Sequence, residues 1–201
     1  MPASDSKAIM ARTVSLMPLP AERGSAAKRV ALLGVFLGYA LAISLLERMI
    51  PINLAIPGIR LGLANVAILL ALYLFPISQA LLLLIMKCLM AAIFSGSPAA
   101  LLYSLGGSSL SFLAMVALMK SFRGHISPLG ISVAGAAFHN TGQILVACLL
   151  FNNWLMLAYL PALLLVGIAT GAIVGILVKH IQPLLKKYAH NHLTHEESPR
   201  K

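Results

Sequence analysis

Charged residues are scarce in this chain. Lysine, arginine, aspartate and glutamate together make up 10% of the 201 residues, against about 25% in an ordinary soluble domain. Hydrophobic residues make up 60%, which is more apolar surface than a soluble core of this size can bury. The composition therefore excludes a soluble domain and predicts an all-α integral membrane protein, because lipid requires each segment to satisfy its own backbone hydrogen bonds.

Acidic residues and cysteines are the rarest of the chemically active types, and this limits the chemistry. The chain has five aspartates and glutamates in total, and it contains no Walker motif, no catalytic Ser/His/Asp set and no paired catalytic carboxylates. We therefore predict no catalytic residues, no cofactor and no ATP hydrolysis. Cys88 and Cys148 lie in apolar runs, where cysteine behaves as a small hydrophobe, so neither a disulfide nor a metal site is predicted.

Basic residues are more numerous, and their positions predict the topology. The net charge is +10, but most of the lysines and arginines fall in the two tails and in the turn around Lys120 and Arg123. Only Arg48 and Arg60 fall in the opposite loops. By the positive-inside rule, both termini are cytoplasmic. Because these charges are explained by topology, no nucleic-acid partner is predicted.

Long apolar runs predict about six spanning helices. They cover residues 30–46, 63–75, 77–94, 99–118, 129–150 and 155–178. The predicted organisation is a disordered cytoplasmic tail over residues 1–28, a six-helix membrane domain over 29–182 and a polar cytoplasmic tail over 183–201. A transit peptide is an alternative for the first segment, since its basic residues outnumber its acidic ones.

The segment between the first two runs, residues 50–65, is a shaped loop. It contains Pro51, Pro57 and Gly62, and proline and glycine stop both helices and strands. Arg60 and Asn65 lie where this loop enters the second run. One interpretation is a lid or ligand contact, and the other is a re-entrant connector whose Arg60 anchors at the lipid headgroups.

Small residues recur every fourth position along the first span, at Gly34, Gly38 and Ala42. This spacing places them on one helix face, where another helix can approach closely. Two interpretations remain open for this face. It packs against a neighbouring helix of the same chain, or it receives a helix of a separate membrane subunit.

Polar residues inside the spans are the candidate ligand contacts. Lys87 is costly at its depth, so it either snorkels to the interface or serves a function. His139, Asn140 and Gln143 lie close together on the fifth span, His139 and Gln143 sharing a face through their four-residue spacing. Such a polar arc lines a wet cavity or joins helices by hydrogen bonds. It lacks the second histidine or acidic ligand that a metal site requires.

Placed by depth, these polar residues gather toward the outer face, above cytoplasmic halves that are nearly all aliphatic. We therefore predict a cavity that opens outward beneath the loop around Pro57. Its cations, Arg60 and Lys87, outnumber its carboxylate, Glu47, which favours a small anionic substrate. The predicted substrate-binding residues are Glu47, Arg60, Asn65, Lys87, Tyr103, His139, Asn140 and Gln143.

Five motifs in order, LLERMIP, PGIRLGLAN, LYSLGG, HNTGQ and YLP, occur between residue 30 and about residue 181. In these motifs the chain resembles the Gx transporter family, also described as heptaprenyl diphosphate synthase component I. That family is similar to the substrate-binding S components of energy-coupling factor transporters. The resemblance implies a multi-pass protein of the bacterial cytoplasmic membrane with a six-helix S-component-like bundle and an outward site. It also implies that Gly34, Gly38 and Ala42 meet a T component driven by ATPases.

Two functions follow as hypotheses. The first is a substrate-capture subunit of an energy-coupling-factor-type uptake transporter, which depends on partners for its energy. The alternative is a non-transport membrane accessory protein for polyprenyl diphosphate or quinone synthesis, or a component of a membrane redox system. The chain lacks the Asp-rich magnesium motifs of prenyl diphosphate synthases, so the synthase chemistry itself is not expected of it.

Overall fold

The computed structural model describes residues 26–49, 62–122 and 126–194, and these residues form helices and short connections without a strand. The elements are α1 Ala26–Met49, α2 Asn65–Leu74, α3 Ile77–Ile93, α4 Pro98–Ser121, α5 Pro128–Phe151, a 3-10 helix Trp154–Tyr159, and α6 Leu160–Thr194. The predicted helical class is confirmed.

Proline marks the beginning of most of these helices. Pro98 and Pro128 occupy the first turns of α4 and α5, where proline's missing N–H costs nothing. The Ser127 hydroxyl accepts a hydrogen bond from the Gly130 backbone N–H at 3.2 Å and caps α5. At its other end, α5 stops at Asn152, which adopts a left-handed conformation.

The short helix α2 lies at the centre of the bundle. It has ten residues and all but Tyr73 are buried, and it contacts each of the other five α-helices. Around it, α4, α5 and α6 pack side by side through the most extensive interfaces. The core includes Ile68 and Leu69 of α2 and Leu84 of α3, so the second predicted span is the element on which the others pack.

The outer surface is apolar and the interior holds the polar groups. Large aliphatic side chains such as Val35, Leu113 and Leu165 are each more than 60% exposed, while the Lys87 and Gln143 side chains are buried. Such a surface is stable only against lipid. Four helices have the length and composition to cross a bilayer, and α2 and α3 are shorter apolar helices. The chain is an all-α membrane protein.

The last apolar run differs from its predicted form. In place of one span from residue 155, a 3-10 helix covers Trp154–Tyr159, and α6 begins at Leu160 with Pro161 in its first turn. At its other end α6 continues past Pro183 to Thr194. Proline has no backbone N–H, and the first turn of a helix needs none. Pro161 therefore fits the first turn of α6 and does not interrupt the helix.

Candidate functional site

The entry to α2 is built around Gly62, which has a positive φ of 79°. A Cβ atom at this position would lie 2.9 Å from Cδ2 of His139 and 3.1 Å from Nδ2 of Asn65. Only glycine fits both the backbone conformation and this close approach. Beside it, the Leu63 backbone N–H donates to the Glu47 carboxylate of α1, so a buried acid holds the first residues before α2.

Lys87 of α3 turns its amino group into the bundle. Its Nζ donates to Oδ1 of Asn65 at 3.2 Å and to Oγ of Ser108 at 3.0 Å, and the residue is 5% exposed. These bonds join α2, α3 and α4 around one cationic group. The amino group is therefore solvated by side chains of the bundle, and its placement differs from that of a lysine snorkelling to the headgroups.

His139 and Gln143 share one face of α5, as their spacing predicts, and His139 lies close to Gly62 at the entry to α2. Nε2 of His139 and Nε2 of Gln143 are 3.1 Å apart, and both residues are buried. Gly107 of α4 makes room for them, because a Cβ there would lie 2.9 Å from Cε1 of His139 and 2.8 Å from Cγ of Gln143. The glycine lets the two polar side chains lie directly against α4.

Asn140 is directed to a different neighbour. Its Nδ2 donates to the Leu163 backbone carbonyl of α6 at 2.6 Å, and Gly167 leaves the space for it, since a Cβ there would lie 2.6 Å from the same nitrogen. The structure therefore separates the predicted polar arc into two parts. His139 and Gln143 face the entry to α2 and α4, and Asn140 links α5 to α6.

The remaining predicted residues fall in two places. Tyr103 is buried in a small apolar cluster with Ile144, Ala147 and Leu163, so its ring packs among aliphatic side chains. Arg60, together with Pro51 and Pro57 of the predicted lid, lies outside the described residues. The grouped polar residues, called the Lys87 cluster from here on, are Asn65, Lys87, Ser108, His139 and Gln143.

The Lys87 cluster is enclosed. All of its members are buried, and the most exposed of them, Asn65, is 8% exposed. A cavity that Asn65 lines has a volume of about 10 Å³. The sequence predicted a cavity that opens outward beneath the loop around Pro57. That loop lies outside the described residues, so the outward opening stays a prediction. Within the parts of the chain that the structure describes, no group of three or more His, Cys, Asp or Glu residues is arranged to hold a metal ion.

Sequence reasoning did not assign Ser108 to the site, and it overlooked Ser111, Ser132 and Thr170, which line the cavity. A signal was present on α4, because Ser104, Ser108 and Ser111 follow a spacing of four and three and so share one helix face. Single serines are common in membrane helices, and this made the pattern easy to pass over. The polar interior therefore extends further along α4 than predicted.

A comparison with protein-family models identifies the chain's relatives. A model described as heptaprenyl diphosphate synthase component I matches residues 36–181. The chain belongs to this family. The matched region includes most of α1, all of α2 to α5 and α6 as far as Ile181, and therefore the whole Lys87 cluster.

The other two comparisons found no relatives. No curated protein matches the chain, and no solved structure matches it. The family membership therefore comes from the sequence match over residues 36–181.

Proposed function

We propose that this chain is a non-catalytic membrane component of a polyprenyl diphosphate synthase and acts with a separate catalytic subunit. The observation that carries the proposal is the match to a synthase "component I" family over nearly the whole helical bundle. A first component implies at least one other. The apolar exterior supports a role at the membrane, where a growing prenyl chain is soluble.

The residue content supports a division of labour between two subunits. Chain elongation on a diphosphate substrate uses Mg²⁺ held by carboxylates together with the substrate phosphates, and the whole chain contains one aspartate, Asp5, and four glutamates. Of these, Glu47 accepts a hydrogen bond from the backbone before α2. The carboxylates for such a reaction have to come from the partner.

The partner surface we propose is the face of α1 formed by Gly34, Gly38 and Ala42. All three residues are exposed, and a Cβ at Gly34 or Gly38 would meet no atom within 4 Å. Small residues permit close packing of a membrane helix. The proposal assigns this face to a membrane-embedded segment of the partner.

A capture subunit for a small anionic molecule is the second candidate, and Lys87 favours it. Lys87 is a buried cation whose amino group donates to the side chains of Asn65 and Ser108, and buried ionisable groups inside membrane proteins often mark substrate or ion sites. On this alternative, the α1 face would dock a T component driven by ATPases, and Arg60 of the loop would add a second cation to the site.

Affinity purification from the native membrane separates the two candidates. The tagged full chain is solubilised, and the eluate is assayed for prenyl chain elongation and for ATPase activity. We expect elongation activity to co-purify, and we expect Gly38→Leu to lose it while Gly34→Ala retains it. ATPase activity without elongation activity would overturn the synthase proposal in favour of the capture subunit.

Ligand binding is tested by native mass spectrometry of the purified chain. If the Lys87 cluster binds an anion, Lys87→Met removes a co-purifying small molecule, whereas Lys120→Met, at an exposed position at the end of α4, leaves it in place. His139→Ala and Arg60→Ala are expected to abolish the same adduct without loss of membrane insertion. An adduct that survives all three substitutions would exclude this cluster as the site.

A further inference from the structure

A small cavity lies between α2, α4, α5 and α6. Its lining includes Asn65 of α2, Ser111 and Met115 of α4, Ser132 of α5 and Thr170 of α6. The volume is about 10 Å³, close to the roughly 10–15 Å³ that one water molecule requires. Four of the eleven described lining residues carry a polar side chain, so the lining is mostly apolar but not wholly so, unlike the dry apolar voids that occur in protein cores.

Two of the lining residues have a buried polar atom without a hydrogen-bond partner. These atoms are Nδ2 of Asn65 and Oγ of Ser111, and the two residues are 8% and 1% exposed. An unsatisfied buried donor destabilises the fold, and in a membrane no bulk water is available to compensate. A bound molecule that forms hydrogen bonds with both atoms would remove this destabilisation.

The orientation of both groups follows from their neighbours. Oδ1 of Asn65 accepts from Lys87, which leaves the NH₂ side of the amide for another partner. That nitrogen would lie 3.1 Å from a Cβ at Gly62, and Oγ of Ser111 would lie 3.2 Å from a Cβ at Gly135. Gly62 and Gly135 both line the cavity, so both unpartnered atoms border the same space.

We propose that this cavity binds one water molecule, which accepts a hydrogen bond from Asn65 and bonds to the Ser111 hydroxyl. A metal cation fits poorly, because Asn65 presents N–H groups. An anion fits poorly as well, because none of the described residues that line the cavity is charged, and an unpaired buried charge is costly. The water extends the hydrogen-bond network of the Lys87 cluster from Asn65 to Ser111 of α4. This inference does not depend on the proposed subunit role.

X-ray radiolytic footprinting of the purified full-length protein tests the proposal. Ionising radiation makes hydroxyl radicals from bound water inside the protein, and methionine beside such a water is oxidised to its sulfoxide. Met115 lines the cavity and is 2% exposed, whereas Met119, one turn further along α4, is 7% exposed and is not among the lining residues. We expect several-fold faster oxidation of Met115 than of Met119. Equal or slower oxidation would overturn the proposal.

Two variants test whether the radicals that oxidise Met115 come from water in the cavity. Gly135→Ala adds a methyl group 2.9 Å from Cγ of Met115 and fills the space, and Ser111→Ala removes one partner of the water without adding volume. Both should lower Met115 oxidation to the Met119 rate, and Gly34→Ala, which meets no atom within 4 Å, should leave it unchanged. Fast Met115 oxidation in both cavity variants would mean that radicals arrive from outside, and the proposal would fail.

Discussion

The chain carries two series of small residues at four-residue spacing, and the structure treats them in opposite ways. On α6, Gly171 and Gly175 face the backbone of α5, where added Cβ atoms would lie 2.8 Å from Cα of Val133 and 2.6 Å from Cα of Leu129. On α1, Gly34 and Gly38 face no atom within 4 Å. The same sequence spacing therefore serves internal packing in one helix and leaves an open face in the other.

The difference shows what a glycine series can and cannot indicate. Spacing determines that small residues share a face, and a shared face permits close approach. Which helix approaches is decided by the rest of the fold, since α6 lies along α5 for much of its length while α1 packs on α2 and α3 through other residues. For the α1 series, no described helix of the chain packs closely against Gly34 and Gly38.

The largest effect is expected from Gly171→Leu. The new side chain would meet Cα of Val133 and Cβ of Ala136, which would lie 2.8 and 3.0 Å from its Cβ, and backbone atoms of a packed helix cannot move aside locally. Overpacking of this kind costs about 1–3 kcal/mol or more. Size-exclusion chromatography with fluorescence detection should show loss of the monodisperse peak or a clearly lowered melting temperature. A wild-type profile would contradict the packed interface.

Gly38→Leu is the matched substitution on the open face. It should leave the melting temperature of the isolated chain near the wild-type value, because its Cβ has no neighbour within 4 Å. Association with the partner should be lost, measured as the elongation activity recovered with the tagged chain. If Gly38→Leu unfolds the isolated protein as Gly171→Leu does, the face is filled within the chain and the comparison fails.

A smaller effect is expected at Asn140, whose hydrogen bond to Leu163 adds to the packing between α5 and α6. Asn140→Ala removes the bond to the Leu163 carbonyl, and interhelical hydrogen bonds in membranes contribute about 0.6–1.7 kcal/mol. The thermal midpoint in detergent should fall slightly, while the ligand adduct in native mass spectra persists. Loss of the adduct would place Asn140 with His139 and Gln143 in the binding site.

The smallest effect is expected from Gly34→Ala, at the N-terminal end of the open face. A methyl group there meets nothing within the chain, so the stability of the isolated protein should change by no more than about 0.5 kcal/mol. A helix of a partner should still approach, since alanine is also small. Reduced partner recovery with Gly34→Ala would indicate that the partner contacts the backbone more closely than alanine permits.

The sequence predicted the helices well, because their signals are local. Pro98 and Pro128 marked the starts of α4 and α5, and the His139 to Gln143 spacing correctly placed both side chains on one face. Their direction was harder to predict: Asn140, the next residue after His139, turns to α6 because Gly167 leaves space there. A single-helix projection contains no information about such space on a neighbouring helix.

The contacts between helices distant in sequence could not be predicted. Lys87 and Asn65 are 22 residues apart, and their pairing depends on where α2 begins relative to the middle of α3. Ser111 became significant only through the cavity that four helices enclose. Both features depend on the relative depth of helices, which composition and periodicity leave undetermined.

The ten residues of α2 have a consequence for how this protein enters the bilayer. At 1.5 Å per residue, the helix rises about 15 Å, half of the hydrocarbon thickness. Nearly all of its surface is covered by other helices, and four of the five helices that it contacts are synthesised after it. During translation α2 therefore emerges before most of the helices that cover it exist, and it cannot cross the membrane by itself. We expect its final position to form late in biogenesis, once α6 has been inserted.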